Sequence, residues 1–327
     1  MNDLATASTT PQRTSLSVDR YCSVARTVEI LSDAWMFLVL RESFFGARRF
    51  EHFQRRLQLP RNTLVIRLNK LTELGLMKKV GYSTGQNRFE YRLSDKGMDL
   101  YPTMLSLLQY GDRWLSGNTD PPLQLIHKTC GSESDAKIVC SSCHDSIDPH
   151  DVEYRSGPGA GEQARDQGRK RSRRASDPKM LERVRPCSVA RTLQIIGDRW
   201  SFLLLREMFF GVRRFDEFQS NIGIATNILT DRLQRLVGHG VIQRQMYQSY
   251  PERFEYRFTL MGYDLYGPMI VMMRWGDRWL SSGHPPLLLK HIKCQKDFHA
   301  EVVCSACGEE LSARNTSYRL RYQWLEE

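Results

Sequence analysis

The chain contains itself twice. "CSVARTVEILSDAWMFLVLRESFFGARRFEHFQ" begins at Cys22, and "CSVARTLQIIGDRWSFLLLREMFFGVRRFDEFQ" begins at Cys187. The offset is 165 residues without a gap, and 22 of 37 positions agree between Cys22–Gln58 and Cys187–Gly223. The correspondence runs on through "RFEYRL" and "RFEYRF" and through "GDRWLS" at Gly111 and Gly276. One deletion follows, and paired prolines return at Pro121–Pro122 and Pro285–Pro286. Each copy covers about 135 residues, far more than a solenoid unit, so each is expected to be a whole domain.

The copies divide the 327 residues into a disordered tail at 1–17, a first domain at 18–118 and a Cys/His-containing segment at 119–155. A linker follows at 156–185, then a second domain at 186–282 and a second Cys/His-containing segment at 283–327. The linker holds "GPGAG" and "GRKRSRR" and reads as a flexible tether, spanning roughly 30 Å in that regime. The net charge of +10 points to an anionic partner, nucleic acid first. Between Arg165 and Arg185, however, nine basic and three acidic residues supply +6 of it. Charge alone is therefore weak ground for DNA binding, and the basic run suits a DNA-phosphate contact and a soluble tether equally. The longest apolar run, Ala34–Leu40, has seven residues, against roughly 20 for a bilayer span. The first twenty residues lack the apolar stretch of a secretory signal. No membrane association is expected, and a cytoplasmic location with reduced thiols is.

Within one copy the apolar period is first helical. Ser188 is a plausible N-cap for "VARTLQII", with Gly197 as a left-handed stop. Asp198 can cap "RWSFLLLREMFF", which ends at Gly211. "RFDEFQSNI" gives a third helix and "ATNILTDRLQRLVGHG" a fourth. Leu229, Leu233 and Leu236 form its buried stripe, matched by Leu64, Leu68 and Leu71 in the first copy. The period then changes to two. Phe254, Tyr256 and Phe258 face one side, Arg253, Glu255 and Arg257 the other, and "VIQRQMY" supplies the partner strand of a hairpin. A long helix is expected over Met98–Leu115 and over Gly262–Leu280. Helices, a hairpin and a terminal helix describe a winged helix-turn-helix. The fold class is mainly α with small β-hairpins (α+β), as tandem winged helix-turn-helix domains each followed by a small Cys/His-containing segment.

The order Cys-x-Val-Ala-Arg-Thr, Asp-x-Trp, Leu-Arg-Glu, Phe-Phe-Gly-x-Arg-Arg-Phe, Glu-Tyr-Arg and Gly-Asp-Arg-Trp, present twice, resembles the HxlR family of bacterial transcription regulators, related in fold to the MarR regulators. The resemblance implies binding of double-stranded DNA and subunit pairing through terminal helices. Family members usually carry one such domain and dimerise, whereas this chain carries two. Leu105, Leu108 and Trp114, with Met269, Met273 and Trp279, are the candidate apolar anchors for association, within one chain as a pseudo-dimer or between chains, with intradomain core as the other reading of each.

The fourth helix is the recognition-helix candidate, since in a helix-turn-helix it lies in the major groove. Steps of 100° place Asn227, Asp231 and Gln234 opposite the buried stripe, flanked by Thr230 and Arg235. The first copy has Asn62, Ile66 and Asn69 there, flanked by Val65 and Lys70. Asn62 and Asn227 can each donate to and accept from an adenine edge. Arg67 and Arg232 lie nearer the stripe, to reach phosphate or to hold the domain together. Arg88 and Arg253 beside the hairpin tips suit backbone contacts. The buried faces agree and most outward positions differ, so the two copies are expected to read different half-sites, with drift of unselected surface residues as the other reading. Ile66 also leaves open that the first copy binds DNA poorly. An RNA-binding or protein-interaction module on the same fold is the alternative.

The cysteines fall in two classes. His127, Cys130, Cys140 and Cys143 recur with identical spacing as His291, Cys294, Cys304 and Cys307. One His and three Cys suit tetrahedral zinc, one structural ion per copy, with no open position for catalysis. His144 or His299 as a replacement ligand, a reversible disulfide and plain packing residues are the other readings. Cys22 and Cys187 each precede a first helix, whose N-terminus favours a thiolate. In some relatives of the resembling family a cysteine at this position answers oxidants or electrophiles, so these two are candidate redox sensors, with a buried inert thiol as the other reading. No Gly-x4-Gly-Lys, Gly-x-Ser-x-Gly or His-Glu-x2-His occurs, so no enzyme chemistry is expected. The sequence names no small-molecule effector.

Overall fold

The computed structural model describes residues 23–31, 33–81, 89–117, 119–160, 182 and 185–323. The tail at 1–17, Cys22, Arg88 and most of the tether lie outside the described residues. The first repeat runs α1 (Ser23–Ile30), α2 (Ala34–Phe44), α3 (Phe50–Leu57), α4 (Arg61–Glu73), β1 (Met77–Gly81), β2 (Phe89–Leu93), α5 (Asp95–Met98) and α6 (Tyr101–Leu115). Its Cys/His segment gives β3 (Leu123–His127), β4 (Glu133–Ser134), β5 (Ala136–Cys140) and β6 (Val152–Ser156). The second repeat follows the same order: α7 (Ser188–Ile196), α8 (Arg199–Phe209), α9 (Phe215–Ile222), α10 (Thr226–Gly238), β7 (Ile242–Ser249), β8 (Glu252–Phe258), α11 (Leu260–Tyr263) and α12 (Tyr266–Leu280). It closes with β9 (Leu287–His291), β10 (Lys296–Phe298), β11 (Ala300–Cys304) and β12 (Thr316–Leu320). This is a tandem winged helix-turn-helix, with β1–β2 and β7–β8 as antiparallel wings.

Local chemistry explains most boundaries. Asp33 caps α2 by accepting from the Trp35 N–H. Asp198 caps α8 by accepting from Trp200 and Ser201. Three details differ from the sequence reading. The N-cap of α7 is Cys187, and Ser188 is its first helical residue; the Ser188 hydroxyl goes to Asp112 of the other repeat. Gly197 has φ −77°, not a left-handed value. A Cβ there would collide with the Leu193 carbonyl of the same helix and would also lie 3.1 Å from the Cβ of Ala34 in the other repeat. The expected long helices also differ: the first starts at Tyr101 rather than Met98, after the separate short α5, and the second is broken into α11 and α12. Pro102 and Pro268 account for the later start and the break, because a proline is tolerated only in a helix's first turn.

Each repeat has a leucine-backed core. Leu64, Leu68 and Leu71 on α4 are fully buried with Phe37 and Phe53; Leu229, Leu233 and Leu236 on α10 are buried with Phe202 and Phe218. Each such side chain contributes roughly 1.5–3 kcal/mol, so the stripe fixes which face of the helix turns outward.

The repeats then meet reciprocally: α1 packs on α12, and α7 on α6. The "GDRW" and "SVART" motifs form this contact. A Cβ on Gly111 would collide with the Ser188 carbonyl, and one on Gly276 with Ser23 and Thr27. Ser188 donates to Asp112 and Ser23 to Asp277. Thr192 donates to the Leu107 carbonyl (2.8 Å) and Thr27 to that of Met272 (3.3 Å). The indole of Trp114 donates to Asp264 and that of Trp279 to Asp99, both at 2.7 Å. Of the expected anchors, Leu105, Met269 and Met273 are buried, while Leu108, Trp114 and Trp279 pack partly buried against the core.

The Cys/His segments are exchanged between the repeats. β3 pairs with β12, β6 with β9, and β5 with β11, all antiparallel. In β5–β11 the central partners are Ile138 and Val302, equivalent positions of the two repeats, so a local two-fold axis passes between them. The opening of the tether is held here too: the N–H groups of Gly157 and Gly159 donate to the carbonyls of Pro286 and Pro285. At its other end, Arg185 is buried against Glu42.

Candidate DNA-reading surface and metal centres

Each fourth helix turns one face inward and leaves the other open. On α10, Asn227, Thr230, Asp231 and Gln234 are exposed and Arg235 is half-buried; on α4, Asn62, Ile66, Asn69 and Lys70 are exposed. Ile66 is 52% exposed, which is unusual for an isoleucine without a partner surface. Thr230 gives its hydroxyl proton to the Thr226 carbonyl (2.9 Å), and Lys70 lies 3.5 Å from Glu73. Arg253 is exposed on β8 beside the wing tip.

Arg67 and Arg232 hold the domain together. Arg67 donates to Asp33 at 2.6 Å and Arg232 to Asp198 at 2.9 Å, and Arg232 is buried. These two aspartates also meet each other, because the backbones of Asp33 and Asp198 form an antiparallel bridge between repeats. A chain of contacts therefore runs from α4 through Arg67 and Asp33 to Asp198, Arg232 and α10. The Asp-x-Trp motif carried no sequence signal for this second role, because the bridge depends on the other repeat.

The eight Cys/His ligand candidates do come together, but in a different grouping from the one expected. One cluster is His127, Cys130, Cys304 and Cys307; the other is Cys140, Cys143, His291 and Cys294. Each draws two residues from each repeat, so the one-ion-per-copy grouping is corrected to two shared sites. The cause is the strand pairing. β5 carries Cys140 about 13 Å along the sheet from Ala136 at roughly 3.3 Å per residue, and Ala136 is the residue that faces Cys304. His127 thus finds the other repeat's Cys304-x2-Cys307 turn, and His291 finds Cys140-x2-Cys143.

The spacing within each cluster suits a tetrahedral ion. Cys130 and Cys304 sulfurs are 3.9 Å apart, and the His127 Nδ1 is 3.4 Å from Cys130 and 3.3 Å from Cys307. In the other cluster the His291 Nδ1 is 3.3 Å from Cys143 and 3.6 Å from Cys294. Zinc bonds of about 2.3 Å to sulfur and about 2.0 Å to nitrogen imply tetrahedral edges of roughly 3.5–3.8 Å. A disulfide needs sulfurs at about 2.05 Å, so Cys130 and Cys304 are unbonded neighbours here. The Ser132 backbone N–H, helped by its hydroxyl, draws the Cys130 thiol down to about 6, whereas burial pushes Cys143 up to about 11. Both histidines and both strand-end cysteines are buried; Cys130 and Cys307 are exposed, and Cys143 and Cys294 half-buried. His144 and His299 are not members of either cluster.

Cys187 is buried at the start of α7 against the Arg41 guanidinium. Arg41 and Glu42 of the Leu-Arg-Glu motif are themselves a buried pair at 2.6 Å, repeated by Arg206 and Glu207. Among the described residues, no helix is long and apolar enough to cross a membrane.

Comparison with known proteins agrees with this architecture. The HxlR-like helix-turn-helix model matches residues 30–119 and 195–284, together more than half of the chain. An uncharacterized HTH-type transcriptional regulator of Mycobacterium tuberculosis is 43% identical over 137 residues, 42% of this chain and 87% of that protein. Another, from Mycobacterium bovis, is 45% identical over 131 residues, 40% of this chain and 83% of its own length. A third, from Synechocystis, is 36% identical over 95 residues, 29% and 70% of the respective chains. The chain therefore belongs to the HxlR-like helix-turn-helix family of transcriptional regulators, with the family's domain present twice in one polypeptide.

Proposed function

We propose that the protein binds an operator as an intramolecular pair, with α4 and α10 in major grooves of one duplex and two different half-sites read. The carrying observation is the pair of fourth helices. Both bury the same leucine stripe and share an exposed asparagine, Asn62 or Asn227, but otherwise differ outward: Ile66, Asn69 and Lys70 are exposed on one, and Thr230, Asp231 and Gln234 are exposed on the other beside the half-buried Arg235. The Arg67–Asp33–Asp198–Arg232 contacts support a fixed spacing between them. Arg253, and Arg88 as its sequence counterpart in the first repeat, would hold phosphate and set register. The two Cys3His clusters take structural zinc in this reading, since four protein donors fill a tetrahedral shell.

Selection of a randomised duplex pool by the full chain, with competitor DNA present, tests the proposal. The expected product is an asymmetric site with two dissimilar halves about one helical turn apart. Equal retention of all duplexes, or preference for RNA, would contradict it.

A further inference from the structure

We infer that the two metal ions are clasps between the repeats, each completed only when both repeats contribute a His-x2-Cys or Cys-x2-Cys turn. This rests on the zinc reading above and adds what the ions do there. Each turn offers two donors, too few for a closed tetrahedral site. His127 and Cys130 come from one side of the tether and Cys304 and Cys307 from the other; in the second site the contributions are reversed. The β5–β11 ladder lies between the two sites and sets both. Cys304 ends β11 opposite Ala136, and Cys140 ends β5 opposite Ala300, so one two-fold pairing delivers a buried cysteine to each centre.

Two consequences follow. Binding a ligand that needs the closed state stabilises that state, so zinc loading and inter-repeat closure rise and fall together. The fourth helices are linked across the same two-fold through Asp33 and Asp198, so loss of zinc loosens the spacing on which paired DNA reading depends. The sites are also unequal. Cys130 and Cys307 are exposed, whereas Cys143 and Cys294 are half-buried, so a chelator reaches the first site sooner.

The clasp is separable from zinc binding as such by counting zinc on double variants of the full chain. Wild type is expected to hold two zinc ions per chain. Cys130→Ser with Cys307→Ser damages one shared site, so one ion is expected to remain. Cys130→Ser with Cys143→Ser damages both, so none is expected. The reverse pattern, none in the first variant and one in the second, would overturn the clasp and leave zinc binding intact. A wild-type chain without tightly held zinc would overturn both. Cadmium-substituted wild type gives the same answer without a variant that might misfold. One cadmium signal is expected to couple to Cys130, Cys304 and Cys307, and a signal coupled to Cys130, Cys140 and Cys143 would overturn the clasp. In a chelator titration, release in two phases is expected, the site of Cys130 and Cys307 emptying first. Release from the Cys143 site first would overturn the inferred order.

Discussion

The surface between the repeats and the outward face of the fourth helices follow opposite rules. Between the repeats, Gly111 and Gly276, Asp112 and Asp277, Ser188 and Ser23, and Thr192 and Thr27 do the same job twice. On the fourth helices, Asn69 stands where the other repeat has Gln234, and Ile66 where it has Asp231. An isologous contact must satisfy the same patch from both sides, so a change on one repeat needs a matching change on the other. An outward side chain has no such partner. The pairing surface is thus common to both halves, while the reading surface can differ, and one chain can recognise a site without two-fold symmetry.

The largest effect is expected at the common surface. Gly276→Ala places a methyl against Ser23 and Thr27, and a loss of about 3 kcal/mol is expected in denaturant unfolding. Gly46→Ala has open space but a left-handed φ of 83°, so its smaller loss, about 1 kcal/mol, serves as the control. Equal losses would mean that the repeats are not in close contact. Arg232→Met is next. It leaves Asp198 buried without its guanidinium, and breaking a buried pair costs about 3 kcal/mol; the unfolding midpoint and the DNA affinity are both expected to fall.

The outward face should behave differently. Asn227→Ala is expected to leave stability within about 0.5 kcal/mol and to weaken binding by about 1–3 kcal/mol at one half-site only. Asn62→Ala should do so at the other half, and binding titrations on half-site variants would read the difference. If Ile66 makes the first repeat a poor reader, Asn62→Ala has the smaller effect of the two.

A pH series probes the common surface again. Burial pushes Asp277 up to about 7 and Asp112 up to about 6. Folded-state values above the unfolded one mean that the folded chain holds these protons more tightly. Stability is therefore expected to rise as pH falls from about 8 towards about 5, and to be lost as pH rises through those values. Asp277→Asn should flatten the thermal-midpoint profile above pH about 6; an unchanged profile would argue against a buried carboxyl. The smallest effect belongs to Arg253→Ala, a weakening common to all sequences with the salt slope reduced by about one.

Much of this was legible in the sequence because it is set locally. The leucine stripes, the Asp198 cap and the period-two wing each depend on neighbours within a few residues, and the structure has them. What was not legible depends on the other repeat. Gly197 does end its helix, as read, but with φ −77° rather than a left-handed value, and beside Ala34 of the other repeat. Ser188 looked like a cap and instead donates across to Asp112. The metal-ligand residue types were readable, but their grouping was not, because spacing along the chain is silent on which strand β5 will pair with.

The central claim is that one chain carries two unlike readers at a fixed separation. Footprinting of a selected operator, with the complex's mass measured in the same sample, tests it most directly. One chain protecting two dissimilar half-sites, centred roughly 34–36 Å apart, is the expected result. Two chains on a symmetric site, or one chain protecting a single half-site, would contradict it.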